Sequence, residues 1–188
     1  MRPHLFAPIA WPPRSPASSP PLHVLEPLTR AEAQGYAGVW LAEATPAQRG
    51  IGPLLHLAAA WLAARTQRIR IGVAGALLPS LHPLRLAEEL AMLDALSAGR
   101  LCWAVEDTHD DPLLREQLAI VMLALTGESF AWDGAYFELP ELRCLPAAVQ
   151  RPHPPLSIRA GSDDAIVRAA RAGRRFWNDP LAPVACVQ

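Results

Sequence analysis

The sequence predicts a single α/β domain, residues 1–188, that is built on a parallel sheet. Three observations support this fold class. The 188 residues are 51% hydrophobic and 19% charged, which is typical of a folded globular domain with a sizeable core. Short apolar segments alternate along the chain with longer segments of helical pattern. The short segments are hydrophobic on both faces, as strands are when helices cover both sides of a parallel sheet.

The first half of the chain predicts three strands, each followed by a helix. The strand segments end at proline, glycine or an acid, and the helical segments are rich in alanine and leucine. Gly35 is expected to end the first helix and Pro53 to begin the second, as these residue types commonly do. The predicted strands lie within residues 4–11, 37–43 and 68–79, and the predicted helices are residues 25–35, 53–65 and 83–96.

The second half predicts two further strands, a hairpin and two helices. Asp133 and Gly134 have the residue types of a two-residue hairpin turn, and Ser162 can cap the last helix. An eight-stranded barrel usually needs about 250 residues, so the sheet is either open or an incomplete (β/α) barrel. The predicted strands are residues 100–105 and 155–161, with a sixth near Phe176 and Trp177, and the predicted helices are residues 112–127 and 163–172.

In parallel α/β folds, the loops at the carboxyl ends of the strands build the functional site. These loops are residues 11–21, 43–52, 79–82, 106–111 and 161–164. We therefore expect them to lie together on one face of the molecule.

One of these loops is strongly acidic. It contains Glu106, Asp107, Asp110 and Asp111, with His109 among them. Oxygen ligands of this kind suit Mg²⁺ or Ca²⁺, but the same residues also fit a set of catalytic carboxylates or a solvated loop. Asp110 and Asp111 directly precede a proline, where acids cap a helix. Capping does not account for Glu106 and Asp107.

Composition argues against several other classes of protein. The formal net charge is −1, so there is no basic excess to attract nucleic acid or anionic lipid. The six histidines lack the spacing of a metal site, and the three cysteines are too far apart in sequence to suggest a disulfide framework. The longest apolar segment, residues 54–64, is far shorter than a membrane span. We predict a cytoplasmic protein with reduced thiols and without a resident metal.

Several segments together resemble the bacterial luciferase-like flavin monooxygenases. They are AQGYAGVWLAE, AARTQRIRIGVAGALLPSLHPLRLAEELAMLDALSAGRL, TGESFAWDGAYFEL and PAAVQRPHPPLSIRAGSDDAIVRAARAG, which span residues 33–173. The resemblance implies a TIM-barrel-like fold that is shortened here, as in the non-fluorescent flavoproteins of the same family. It also implies that reduced FMN or the deazaflavin F420 binds at the carboxyl face and reacts with O₂ or a hydride acceptor.

The resemblance further implies a partner and site residues. Members commonly dimerise through the second and third helices, where Ala59, Leu86 and Leu90 suit close packing, so a homodimer is expected and a heterodimer is possible. A non-proline cis peptide under the flavin ring would fall at Ala74 and Gly75, and Gly161 with Ser162 would meet the flavin phosphate. Glu43 matches the acid that ends the second strand, and it is the candidate general base because desolvation can raise the pKa of such a carboxylate.

The chain departs from the family at two positions. Ala44 and Thr45 follow the acid where many members have a histidine that is a candidate for proton transfer. Glu106, Asp107 and Thr108 stand where the family commonly has glycine, arginine and glycine, with the arginine on the flavin phosphate. A carboxylate there should repel a phosphate.

These departures leave two alternatives open beside the flavin enzyme. The first is a non-catalytic, shortened relative that binds a ligand or acts as a partner subunit. The second is a metal enzyme built on the oxygen ligands Glu106 and Asp107 with His109.

Overall fold

The computed structural model describes residues 3–9, 22–43, 55–75, 78, 81–107, 109–160, 162–171 and 175–178. Within these residues, strands and helices alternate as the sequence predicts. The strands are β1 His4–Ile9, β2 Gly38–Glu43, β3 Arg70–Ala74, β4 Leu101–Glu106, β5 Phe130–Asp133, β6 Glu138–Leu142, β7 Leu156–Ala160 and β8 Arg175–Asn178. The helices are α1 Leu22–Leu25, which continues into a 3₁₀ turn Glu26–Arg30, then α2 Leu55–Ala63, α3 Pro83–Leu96, α4 Pro112–Thr126 and α5 Asp163–Arg171.

Six of the strands form one parallel sheet in the order β1-β2-β3-β4-β7-β8, which confirms the predicted fold class. The sixth strand expected near Phe176 and Trp177 is β8. Since β1 and β8 stand at the two ends of this order, the sheet is not closed within the described residues. It has the form of a partial barrel. None of the described helices is long and apolar enough to cross a bilayer.

The two faces of the sheet differ in the size of their side chains. On the helix-covered face, large side chains such as Leu41, Val73 and Trp103 are completely buried in the main core. On the opposite face, neighbouring strands carry small residues, and a Cβ added at Gly72 would lie 2.2 Å from the indole of Trp40. Trp40 therefore lies directly over the backbone of β3. The helix-covered face carries the main hydrophobic core, and the other face carries small residues with the rings of Phe6 and Trp40 packed against them.

A buried carboxylate fastens the segment that precedes β7. Asp94 of α3 is fully buried, and its side chain accepts hydrogen bonds from the N–H groups of Val149 and Gln150 at 2.8 Å each. The side-chain amide of Gln150 donates to the same carboxylate at 2.7 Å and to the carbonyl of Leu101 at 2.8 Å. These bonds tie α3, β4 and the segment before β7 together, and so help to align β7 beside β4.

Two local predictions are wrong. The helix expected over residues 25–35 is a short α-turn and a 3₁₀ turn, because Pro27 lacks an N–H and the hydroxyl of Thr29 donates to the carbonyl of Glu26. The hairpin has a four-residue loop, in which Gly134 donates to the carbonyl of Phe137, rather than the expected two-residue turn. The cause is a carboxylate outside the hairpin.

That carboxylate belongs to Glu116 of α4. It accepts hydrogen bonds from the indole of Trp132 at 3.0 Å and from the N–H groups of Ala135, Tyr136 and Phe137 at 2.9–3.2 Å. Four donors converging on one group require the wider loop. The hairpin is thereby fixed to the outside of α4.

Candidate functional site

The carboxyl ends of the parallel strands bring the expected site positions to one edge. The register pairs Ile9 with Glu43, Ala42 with Ala74, Ala74 with Ala104, and Glu106 with Arg159. Asp107 follows β4 and Ser162 follows β7 within two residues. The backbone of Glu43 ends β2 at this edge, whereas its side chain and Gly161 lie outside the described residues.

A row of three alanines crosses the shallow face just below this edge. Ala42, Ala74 and Ala104 are direct neighbours on β2, β3 and β4, and each is at most 4% exposed. They form a small apolar cluster of their own, against which the half-buried rings of Phe6 and Trp40 pack. Since neighbouring strands lie about 4.8 Å apart, the row is roughly 10 Å wide. Small side chains in register, with two aromatic rings packed against them, make a buried apolar layer just below the edge.

The peptide bond between Ala74 and Gly75 does not have the expected cis form. Among the described residues the cis peptide bonds are Leu145–Pro146 and Arg151–Pro152, both of them before proline. The expectation of a cis bond at Ala74 is therefore wrong for this structure. A non-proline cis bond costs about 3 kcal/mol or more, so the trans form is the default unless contacts impose the other.

The acidic stretch after β4 divides between the two faces of the sheet. Glu106 Oε1 lies 2.5 Å from Nη1 of Arg159, its neighbour on β7, on the same face as the alanine row. The next residue, Asp107, points the other way, and its Oδ2 lies 2.5 Å from Nη2 of Arg168 on α5. Asp107 Oδ1 also accepts a hydrogen bond from the N–H of His109 at 3.1 Å. Alternation along a strand explains why adjacent acids find different partners.

These contacts change two expectations. The described residues contain no group of three or more side chains that could hold a metal ion, and Glu106 and Asp107 point to opposite faces, so the metal-enzyme alternative has no geometric basis there. The repulsion expected from Asp107 is also smaller than its sequence position implies, because Arg168 partly neutralises it. The sequence analysis missed Arg159 and Arg168. The only signal was their position, on β7 and in the second turn of the following helix.

Arg168 lies close to three carboxylates, those of Asp107, Asp110 and Asp164. Its hydrogen bond to Asp107 is the main cause that raises the pKa of Arg168 above its ordinary value, and the charges of Asp107, Asp110 and Asp164 add to this while partial burial opposes it. Its Nε is buried and has no hydrogen-bond partner among the residues that the structure describes. A groove of about 720 Å³ lies between α4 and α5 beside this side chain.

The helices that begin at this edge are capped by the chain itself. Asp111 accepts a hydrogen bond from the N–H of Leu114 at 3.1 Å and so caps α4, as predicted. Ser162 Oγ accepts one from the N–H of Ala165 at 3.3 Å and so caps α5, also as predicted. The hydroxyl expected to meet a phosphate is therefore already engaged with the helix.

The comparison with known families bears directly on this arrangement. The family model described as luciferase-like monooxygenase matches residues 1–183. The chain belongs to the luciferase-like monooxygenase family. The resemblance drawn from the quoted segments is thereby confirmed, and it extends to almost the whole chain.

Two curated relatives match most of this luciferase-like chain. It is 32% identical over 177 residues to the protein y4wF of Sinorhizobium fredii, covering 85% of this chain and 49% of that one. It is 26% identical over 167 residues to the oxygenase component of the flavin-dependent trigonelline monooxygenase of Acinetobacter baylyi, covering 80% and 46%. The chain spans about half the length of the curated relatives it matches.

Solved structures place the partial barrel in the same fold. The monooxygenase RslO1 from Streptomyces bottropensis superposes with a TM-score of 0.77 at 25% identity, covering 94% of this chain and 59% of that chain. The oxygenating constituent of 3,6-diketocamphane monooxygenase from Pseudomonas putida, in complex with FMN, gives 0.73 at 19% identity, covering 95% and 57%. An F420-dependent secondary alcohol dehydrogenase with an F420–acetone adduct gives 0.73 at 16%, covering 94% and 57%. Of these two structures, the first holds FMN and the second an F420 adduct.

Proposed function

We propose that the chain is a flavin-dependent oxidoreductase or monooxygenase that uses reduced flavin and O₂ on a small organic substrate. The observation that carries this proposal is the row of Ala42, Ala74 and Ala104 at the carboxyl edge, flanked by Phe6 and Trp40. A planar tricyclic ring fits against an apolar strip about 10 Å wide better than a branched or charged ligand does. Membership of a family with flavin-dependent relatives supports the same conclusion.

In this proposal, the chain's own residues hold the ring and exclude water. Ala74 and Gly75 lie beneath the ring, and the aromatic side chains beside the row shield it. The bound flavin would supply the redox chemistry, as cofactors generally do in such enzymes. Glu43 is the proposed general base, and Gly161 with Ser162 the proposed contacts of the phosphate end. These roles are inferred from the family pattern.

The first test is retention of flavin. The purified chain is incubated with FMN, and separately with F420, passed through gel filtration, and examined by visible absorption. We expect a flavin band to co-elute with the protein for one of the two cofactors. Elution without either cofactor, from a chain that still unfolds cooperatively, would contradict the proposal.

A second candidate function is a non-catalytic subunit that binds flavin or another ligand. Ala44 and Thr45 favour it, because neither can transfer the proton that a histidine would. The two candidates separate when a flavin reductase supplies reduced flavin in the presence of a panel of small organic substrates. An oxygenated product that depends on the chain supports the enzyme. Retained flavin with no product from any substrate supports the binding subunit.

We also propose that the chain dimerises through α2 and α3. Ala59, Leu86 and Leu90, which the sequence marks for close packing, are completely buried within the chain's own core, so they cannot form the interface. The outer surface of the two helices instead exposes Leu57, Met92 and Leu96 by 66%, 49% and 60% around a groove of about 650 Å³. Exposed side chains of this size in one patch are typical of a protein contact.

A polar group in the same groove also lacks a partner. Nδ1 of His56 lies 2.6 Å from Glu89 Oε2, while its buried Nε2 has no hydrogen bond within the described part of the chain. Glu89 in turn contacts Arg85 at 2.8 Å. A second copy, or a related subunit, would cover these groups together with the apolar patch.

The cytoplasmic location expected from the sequence stays a prediction.

A further inference from the structure

Polar side chains stand at the β4–β7 end of the sheet face that carries the alanine row. The row continues in register from Ala104 of β4 onto Ser157 of β7, which is 8% exposed. Two residues further along the same two strands, Glu106 and Arg159 are also paired in register. Since side chains two residues apart on a strand share a face, this second pair lies about 7 Å beyond the row, at the carboxyl edge itself.

The other end of the same face is apolar. Phe6 of β1 and Trp40 of β2 are paired in register, and their rings pack against the alanine row. Across the sheet, the side chains on this face therefore change from aromatic rings on β1 and β2, through alanine, to a serine and an ion pair on β4 and β7. The face has one apolar end and one polar end.

The Glu106–Arg159 pair combines a hydrogen-bond donor and an acceptor at a place that a bound molecule can reach. Arg159 Nη1 lies 2.5 Å from Glu106 Oε1, and the two side chains are 31% and 41% exposed. A guanidinium carries five N–H donors and an ionised carboxylate only accepts, through two oxygens. A ligand that meets both groups should therefore carry an acceptor and a donor next to each other.

The ring of a flavin has the same change of polarity along its length. One end is a substituted benzene ring, and the other is a pyrimidine whose edge carries carbonyl oxygens beside an N–H group. When the two-electron reduced ring gives up a proton, the negative charge lies on this pyrimidine, at N1 and the neighbouring carbonyl. A cation beside that edge favours the reduced form over the oxidised form.

We infer that Arg159, held in place by Glu106, contacts the pyrimidine edge of the bound flavin and stabilises its reduced form. This inference rests on the proposed flavin-dependent function. Arg159 donates to the ring carbonyl, Glu106 accepts from the ring N–H, and the benzene end lies toward the aromatic side chains. This orientation agrees with the proposed contacts of the phosphate end, because Gly161 and Ser162 directly follow the strand that carries Arg159.

The test is the reduction potential of the bound flavin. The full chain is loaded with whichever of FMN and F420 it retains, since both rings carry this pyrimidine edge, and is titrated without oxygen against redox dyes of known potential. We expect Arg159→Met to lower the ratio of the affinities for reduced and oxidised flavin about tenfold. For a two-electron couple, that change makes the potential about 30 mV more negative. Arg159→Lys keeps the charge and should keep most of the preference.

Glu106→Gln separates this role from a purely structural one. It breaks the same ion pair but removes the negative charge, so we expect the potential to become more positive. A pair that only holds β4 to β7 would lower stability and flavin affinity in both variants, without opposite shifts of the potential. The matched control is Arg171→Met, which removes an exposed cation from the last turn of α5 and should leave the potential unchanged.

The outcomes separate the inference from the proposed function. Potentials that stay unchanged in both variants, or that move in the same direction, overturn the inference and leave the flavin function standing. If Arg159→Met no longer folds or binds flavin, Glu106→Gln decides, and a potential that is unchanged or more negative overturns the inference. If the cooperatively folded wild-type chain retains neither cofactor, the proposed function fails and the inference fails with it.

Discussion

Asp107 at the end of β4 forms an ion pair with Arg168 in the second turn of α5, so the loop after one strand is tied to the helix after its neighbour. The two side chains are 25% and 35% exposed, which places the pair between a surface contact and a buried one. Helix capping does not account for Asp107 or Glu106 in the acidic loop, and their ion pairs do. Asp107 is a structural partner of a cation, and its neighbour Glu106 has a separate partner on β7.

The strength of the Asp107–Arg168 pair can be measured by a double-mutant cycle. We expect Asp107→Asn and Arg168→Met each to lower the free energy of unfolding, and the double variant to lose less than the sum. A coupling of about 1 kcal/mol is expected for a partly exposed pair. Urea denaturation of the four proteins supplies the measurement. Strict additivity would mean that the pair contributes nothing.

A larger side chain in the alanine row should weaken flavin binding selectively. Ala74→Val adds two methyl groups in the middle of the row, where they stand between the sheet and a bound ring, so we expect flavin affinity to fall at least tenfold. Overpacking a buried site also costs about 1–3 kcal/mol of stability.

The matched control for this loss is Ala87→Val. Ala87 of α3 is completely buried in the main core, so its substitution carries a similar packing cost at a distance from the row. The control should keep its flavin while its melting temperature falls. Equal loss of flavin in both variants would mean that global destabilisation, and not the row, explains the result.

The strands and long helices could be predicted because their signal is local. The boundaries of α3 agree with the prediction at both ends, since Pro83 opens the helix and Leu96 is its last apolar position. In α4, Pro112 and Gly127 mark the ends in the same way, and Gly127 has the left-handed conformation that a helix stop needs. Proline at a helix start and glycine just after a helix end act through local backbone preferences, so both helix ends can be predicted from sequence.

The hairpin loop and the partners of the acidic loop, which the sequence analysis did not predict, depend on residues far away in sequence. The hairpin loop is set by Glu116, a helix residue that no turn rule includes. The partners of Glu106 and Asp107 lie 53 and 61 residues further on, and only the parallel register of β4 and β7 brings them close. A charge read from sequence without its partner therefore overstated the repulsion at the edge.

The exposed face of α2 and α3 predicts a change of oligomeric state. Met92→Asp together with Leu96→Asp places two charges on the apolar patch, so we expect the dimer to become a monomer in light scattering coupled to gel filtration. The helix should remain folded, because both positions face outward. Val167→Asp is the control, since Val167 is 46% exposed on α5, away from the patch. A wild-type chain that is already monomeric would contradict the proposed interface.

The buried Asp94 predicts a large loss of stability from a small change. Asp94→Asn replaces one acceptor oxygen by an N–H₂ group that faces the donors of Val149 and Gln150. Losing charge-assisted bonds in a fully buried position should cost about 2–3 kcal/mol in urea denaturation. Asp133→Asn, at an exposed position in the hairpin, should cost less than about 0.5 kcal/mol. A similar small cost for both would mean that the Asp94 contacts do not hold the segment before β7.

The hydrogen bonds of the Glu32 carboxylate predict how the free energy of unfolding depends on pH. The backbone N–H of Arg68 is the main cause that holds the pKa of Glu32 below its ordinary value of 4.5, followed by the N–H of Gln67. Their distances to Glu32 Oε2 are 3.1 and 2.9 Å, and the N–H of Ile69 adds a third bond at 3.3 Å. These donors favour the charged carboxylate, so the folded chain holds the proton less tightly than the unfolded chain does. The resulting stabilisation is complete above pH 4.5 and is lost as the pH falls through the lowered folded pKa.

Glu32→Gln cannot carry that charge, so we expect it to be about 1 kcal/mol less stable than the wild type at pH 7. The difference should shrink as the pH is lowered below about 4.5, because the wild-type carboxylate then becomes protonated and loses the same advantage. Urea denaturation of both proteins between pH 7 and pH 3 supplies the comparison. Glu26→Gln, an exposed acid in the preceding 3₁₀ turn, is the control. A gap that stays constant or widens toward acid would show that the three N–H groups do not act on the charge of Glu32.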